Sequence, residues 1–229
     1  VNNLSDSDEM QKNTAKNVEV SFKELDKKIE EGNADVSKFA LSAAKLQKNS
    51  LSPISSTLDS LSGQIYASAQ ALTFQQSQTV NKDLSNRLVM LGTLDNVGDK
   101  FGLWISGIGA SGKLKQDGYA EGKTKVYGGQ VGIDKKFGEN LILGTALYYS
   151  NANVKFNRHG GESDSDNFGI SLYGRAGNND NPLYVQGRIG IGFVNSEVKR
   201  DIILSANDIS RAKIEHNDKV ISGYLETGY

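Results

Sequence analysis

The chain has 229 residues, with 26 basic and 27 acidic side chains, a formal net charge of −1, 25 glycines, 2 prolines and no cysteine. That balance excludes bulk electrostatic attraction to nucleic acid or acidic lipid. The missing thiols exclude a disulfide framework and a thiolate metal site. No run approaches the roughly 20 apolar residues of a membrane-spanning helix, which excludes helical membrane proteins but not membrane barrels, whose strands are only half apolar.

A cysteine-free chain suits the cytosol and equally an exported protein that crosses an oxidising periplasm unfolded. The sequence begins at Val1, with neither an initiator Met nor a signal peptide, and is expected to be an excised piece of a longer precursor.

Residues 1 to about 95 have a glycine-poor, helical texture. "FKELDKKIEE" (22–31) predicts a charged helix with Phe22, Leu25 and Ile29 on one stripe, stopped by Gly32 and Asn33. "ADVSKFALSAAKLQKNS" predicts a second helix carrying Val36, Phe39, Leu41 and Leu46, broken at Pro53. From Thr57 a third helical stretch presents Leu58, Leu61, Ile65, Ala69 and Leu72 at spacings of three and four, resuming at Val80, Leu84 and Leu88. A break is expected near the glutamines between the two parts. The competing reading is a helical hairpin that packs on itself.

From Phe101 the period switches to two. Six strands are predicted, over 103–113, 123–135, 141–156, 166–176, 183–198 and 219–229. Short turns ("KKFGEN", "GNNDNP") alternate with long polar connections ("KQDGYAEG", "NRHGGESDSD", "SANDISRAKIEHND"). That is how outer-membrane barrels are built. In strands two to six one face is apolar, for example Tyr127, Val131 and Ile133, or Leu141, Leu143, Leu147 and Tyr149. The other carries Gly, Gln, Arg, Tyr and Glu. The first strand is ambiguous. Alternation alone does not separate a membrane barrel from a soluble sheet, but length does. The strands run about ten to sixteen residues, against about five or six in soluble proteins and about nine to eleven for a tilted transmembrane strand. Glycines on the polar face are expected to make room for something inside a narrow lumen, and the preceding helix, about 10 Å wide, fits that role.

"LDSLSGQIYASAQAL" (58–72), "VNKDLSNRL" (80–88), "LWISGIGASG" (103–112) and "YGGQVGIDKKFGENLILGTALYYSNANVKF" (127–156) together resemble the C-terminal translocator of autotransporters, the type V secretion family. Its Gly-Gly-x-x-Gly-x-Asp signature is matched by Gly128, Gly129, Gly132 and Asp134. The resemblance covers about residues 57 to 229.

It implies an all-β transmembrane antiparallel barrel of about twelve strands, preceded by a helix that threads its pore, in the outer membrane. It implies export and surface display of an upstream passenger, with barrel assembly machinery and membrane lipid as partners. The protein is expected to be monomeric, to bind no nucleic acid and to use no cofactor. Residues 1–56 would be a helical passenger remnant, 57–95 the linker and pore helix, and 96–229 the barrel domain. The pore helix would present Leu61, Ile65, Ala69, Leu72, Val80, Asn81, Leu84 and Leu88. Gly128, Gln130, Gly132, Asp134, Arg175, Arg188, Tyr224 and Glu226 would face the lumen.

Two departures from the family pattern stand out. Six strands cannot close a barrel, and an open edge is forbidden in lipid, so C-terminal truncation is expected. Some relatives cleave themselves at an Asn-Asn pair inside the barrel. Here the pair is Asn81-Lys82, which puts self-cleavage in doubt and leaves a translocator without catalysis of its own. The "LSG" junction resembles those behind subtilisin-like serine protease passengers, and the resemblance implies such a passenger upstream.

Other chemistry is weakly signalled. His159 and His216 lie in predicted loops without further ligands at metal-site spacing. "GIGASG" and "GRIGIGF" lie inside predicted strands, where no phosphate cradle forms. The rival readings are a porin or OmpA-like barrel with an unrelated periplasmic helix, and a soluble β-rich adhesin domain.

Overall fold

The computed structural model describes residues 9–32, 41, 54–93, 101–115, 121–157, 161–178, 181–205 and 208–229. Among the described residues, helices α1 (Glu9–Glu30), α2 (Ile54–Leu61) and α3 (Gln64–Thr93) precede six strands. These are β1 (Gly102–Leu114), β2 (Gly122–Phe137), β3 (Leu141–Phe156), β4 (Glu162–Asn178), β5 (Asn181–Ser205) and β6 (Asp208–Gly228).

Helix α1 starts thirteen residues before the predicted segment, carried by a polar surface that includes the i,i+4 pair Glu19–Lys23 at 3.1 Å. It ends at Gly32, whose φ of 71° is the left-handed stop that glycine adopts freely. Leu25 is buried but Ile29 is exposed, so the expected stripe is only partly used. Gln11 Nε2 donates to Asp59 Oδ1 of α2 at 2.8 Å. Of the second expected helix, Leu41 is described and exposed; Val36, Phe39, Leu46 and the break at Pro53 lie outside the described residues.

The break in the third helical stretch falls at Ser62–Gly63, not at the glutamines. Helix α3 then runs 30 residues without interruption, about 45 Å. Gln76 does not interrupt it, because its amide is satisfied on the sheet while its backbone stays helical.

The strands form one antiparallel meander in sequence order. Each runs 13 to 25 residues. Two predicted connections are corrected. Residues 162–166 belong to β4, and most of 205–218 extends β5 and β6, with His216 inside β6 rather than in a loop. These extensions are mostly polar and their few apolar residues do not alternate, so hydrophobic period-two patterning could not reveal them. Here His216 Nε2 lies 3.1 Å from Asp218 Oδ2; His159 lies outside the described residues. The glycine segments 107–112 and 187–193 sit within β1 and β5, away from any helix start.

Helix α3 touches all six strands. Six strands laid flat span about 24 Å, twice the width of a helix. One helix reaches them all only because the sheet curls around it. Opposite faces of the sheet then meet different surroundings. On the convex face Ile105, Val131, Leu147, Ile170, Ile191 and Ile221 lie directly across from one another in register and are exposed. They form an aliphatic row across the whole sheet. The same alternation resolves β1: Leu103 and Ile105 point out, Trp104 and Ile108 point in. On the concave face Gln130, Asp134, Ser150, Asn167, Gln186 and Arg188 are buried.

Candidate functional site

The site is the contact between α3 and the concave face. Along α3, Leu72, Gln76, Val80, Leu84 and Leu88 recur every four residues, and all five are essentially without solvent exposure. Near the helix start, Ile65, Ala69 and Leu72 pack with Val126, Ala152, Val154, Phe156 and Val198. Near its end, Leu84, Leu88 and Leu91 pack with Trp104, Ile142, Ala146 and Tyr173. Val80 meets Ile108 and Tyr148 between them.

Polar contacts fix the helix at three levels. In the middle, Gln76 Nε2 donates to the Ser150 and Ser165 carbonyls at 2.8 and 3.2 Å. Lower down, Asp83 accepts from Ser106 Oγ at 2.7 Å and from Gln130 Nε2 at 2.8 Å. Near the end, Arg87 forks onto Asp134 through Nε and Nη2 at 3.2 to 3.3 Å. The Asp134 carboxylate is fully buried and also accepts from the Tyr173 hydroxyl at 2.9 Å. That hydroxyl in turn accepts from Trp104 Nε1 at 2.6 Å. The Arg87 guanidinium lies 5.7 Å from the Trp104 ring centroid, a cation–π contact that completes the cluster.

The expected site residues are placed as follows. Ile65, Ala69, Leu72, Val80, Leu84 and Leu88 face the sheet from α3. Leu61 ends α2, on the other side of the break. Asn81 lines the open side between α3 and β6. Arg188 Nε donates to Ser171 Oγ at 2.9 Å, and its guanidinium lies 5.6 Å from the Tyr148 ring centroid. Arg175 Nη1 donates to Gln186 Oε1 at 2.7 Å. Glu226 accepts from Gln186, Tyr184 and, across the gap to α3, Ser85 at 3.4 Å. Tyr224 packs at the rim of the lower cluster.

The glycines need a correction. A Cβ on Gly132 would lie 2.5 Å from the Trp104 ring, and one on Gly144 would strike Tyr173. One on Gly128 would strike the backbone of β3. The space these glycines leave is filled by aromatic rings lying flat on the sheet and by close strand backbones. The helix packs on those rings, so its fit depends on the glycines indirectly. Sequence reading also missed Gln76, Asp83 and Arg87. Their signal was positional: Gln76 sits four residues from both Leu72 and Val80, and Asp83 and Arg87 each precede a buried leucine by one.

At the other end, Arg200 of β5 holds the α2–α3 elbow. Its Nη1 donates to the Ser60 and Ser62 carbonyls at 3.3 and 3.0 Å, and its guanidinium lies 5.1 Å from the Tyr66 ring centroid. The Ile203 amide donates to Ser60 Oγ at 3.1 Å.

Gln76→Leu is expected to destabilise the helix–sheet contact by about 1–3 kcal/mol, since a buried amide with matched carbonyls is replaced by a group that pairs with neither. Urea unfolding in detergent measures this. A midpoint equal to that of the parent would show that the amide is dispensable.

Long antiparallel strands, apolar on the convex face and polar on a concave face wrapped around a helix, define the wall of a transmembrane barrel with a helix inside. The autotransporter β-domain family model matches residues 103–229. The chain therefore belongs to the autotransporter β-domain family, and it is an outer-membrane translocator domain serving a passenger. Its fold is similar to the translocator domain of autotransporter NalP from Neisseria meningitidis. The TM-score is 0.61 at 21% identity, over 73% of this chain and 55% of that one. It is also similar to the IgA-specific serine endopeptidase autotransporter of Neisseria gonorrhoeae, 31% identical over 101 residues. That match covers 44% of this chain and 6% of the relative, so the chain spans only a small part of that protein's length.

Proposed function

We propose that α3 occupies the translocator pore as the trailing end of an exported passenger, and that the six strands supply the part of the wall that grips it. Residues 1–56 are then the passenger's helical tail, 57–95 the linker and pore helix, and 96–229 barrel wall. Helix α3 enters at the end with the long connections, beside Phe156 and Val198, and finishes beside Asp134 near the short turns. The long-connection end faces the cell exterior, and the short turns face the periplasm. The observation that carries this reading is the buried Arg87–Asp134 fork, which joins helix to wall with matched charge and geometry.

The domain performs no chemistry of its own. Asn81 is followed by Lys82 rather than a second Asn, so the passenger stays attached. By likeness to the gonococcal relative, the passenger upstream is a serine protease. Insertion relies on the cell's barrel assembly machinery and on outer-membrane lipid, and the unit works as a monomer.

Membrane separation followed by protease treatment of intact cells tests this. Strands in the outer-membrane fraction that resist protease, with residues 1–60 digested from outside, are expected. A soluble product would instead indicate an adhesin domain. An N-terminal segment protected in the periplasm would indicate a porin with a separate helix.

A further inference from the structure

On the convex face, beyond the apolar belt, Lys113, Lys123 and Lys155 stand directly opposite one another across β1, β2 and β3. Lys125 lies one outward position closer to the belt, opposite Ser111 and Asn153. All four are exposed. Like charges facing each other across strands are destabilising, and none of the four forms an ion pair among the described residues. The same row continues through Glu162, Lys199 and Lys213, and there the pattern is different. Lys199 pairs with Glu162 at 3.3 Å and with Glu197 at 2.5 Å, and Lys213 with Glu197 at 2.7 Å and Glu215 at 2.5 Å. Asp164, the carboxylate nearest Lys125's row, already accepts from Asn151 and Asn153. The β4–β6 part of the row pairs its lysines internally, while among the described residues the β1–β3 part leaves four without an ion pair; Lys155 stands opposite Glu162, whose carboxylate is held by Lys199.

Their height places them at the level of the lipid headgroups. Tyr127 and Tyr149 are exposed at the upper edge of the apolar face, where aromatic residues mark the membrane interface. Lys125 and Lys123 lie two and four residues beyond Tyr127. On a strand tilted by about 40°, that is about 5 and 10 Å further along the membrane normal. The headgroup layer extends about 5–8 Å past the hydrocarbon, and a lysine side chain reaches several ångströms back toward it. Neighbouring strands are about 4.8 Å apart, so the row spans about 10 Å.

We propose that Lys113, Lys123, Lys125 and Lys155 form a binding site for the phosphate groups of an outer-leaflet glycolipid. The belt seats the acyl chains and the lysine row takes the phosphates as point charges. This rests on the orientation given under Proposed function.

The test uses the full chain purified from outer membranes in mild detergent. Native mass spectrometry measures binding of bisphosphorylated lipid A and of its dephosphorylated form. The bisphosphorylated form is expected to bind at least tenfold tighter, and the variant with all four lysines changed to Gln is expected to lose that preference. Lys199→Gln, which removes an internally paired lysine, should keep it. Equal binding of both lipids, or an unchanged preference in the fourfold variant, overturns the proposal. Orientation is checked separately by Glu121→Cys in this cysteine-free chain. Labelling of intact cells by an impermeant thiol reagent supports an outward-facing β1–β2 end. Its failure sinks the orientation whatever the lipids do.

Discussion

Asp134→Ala is expected to cost about 3–5 kcal/mol, because it strands a largely buried guanidinium. The Arg87 side chain is only 19% exposed and Asp134 is fully buried, so water cannot take over the lost role as it would at a surface pair. Two further groups are affected. The Tyr173 hydroxyl loses its acceptor, and Trp104 loses a partner held in place by it. In the barrel the consequence is a loosened lower end of α3. Urea unfolding should shift to lower concentration, and single-channel recordings should show openings absent from the parent. A double-mutant cycle with Arg87→Ala separates pair from packing, and a coupling of about 0.5–3 kcal/mol is expected. Coupling near zero, with a closed channel in every variant, would show that the fork is incidental to holding the helix.

The elbow and the fork divide the work of holding α3. Arg200 grips carbonyls at the α2–α3 joint, where a helix end leaves acceptors unsatisfied. Arg87 grips a carboxylate some 25 residues later. Between them the helix offers mainly leucine, valine and alanine to the wall, with Gln76 at mid-height and Asp83 lower down as polar contacts. Apolar contact is tolerant of sliding. Two charged grips at opposite ends set the register of helix against wall, a job that area burial performs poorly.

The sequence revealed the strand faces because the apolar belt imposes alternation on each strand separately: Leu141, Leu143, Leu147 and Tyr149 could be assigned to one face without knowledge of any neighbour. It did not reveal what depends on the neighbour. The lysine row and the row from Ile105 to Ile221 exist only once register is known. The extensions of β5 and β6 were hidden because their apolar residues do not alternate: Ile202, Ile203 and Leu204 are consecutive, and Ile209 and Ile214 are five apart. Asp83 and Arg87 carried no signal of their own, because charges on a helix usually face solvent, yet both flank the buried stripe. The self-packing hairpin fails for a related reason: the stripe from Leu72 to Leu88 meets the sheet.

The glycines show the same limit most sharply, and Gly132 allows the strongest test of it. Its absent side chain is the floor under Trp104. A Cβ would sit 2.5 Å from two carbons of that ring and 2.6 Å from Nε1. The ring cannot slide sideways, because Tyr173 meets it edge-on at a centroid distance of 6.1 Å and the Arg87 guanidinium lies at 5.7 Å. It can only lift toward Leu84 and Leu88, which are already fully buried. Gly132→Val is therefore expected to cost about 1–3 kcal/mol in overpacking, plus the Trp104–Tyr173 hydrogen bond and alignment of the fork beneath it. The assembled fraction, read as heat-modifiable mobility on gels, should fall severalfold. Gly107→Val is the control, since nothing lies within 4 Å of its position on the convex face; it should assemble normally. Adding Trp104→Leu to Gly132→Val should recover much of the loss by removing the ring that needs the floor. If Gly132→Val assembles like Gly107→Val, the ring is not wedged, and the glycine pattern must be explained by strand curvature instead.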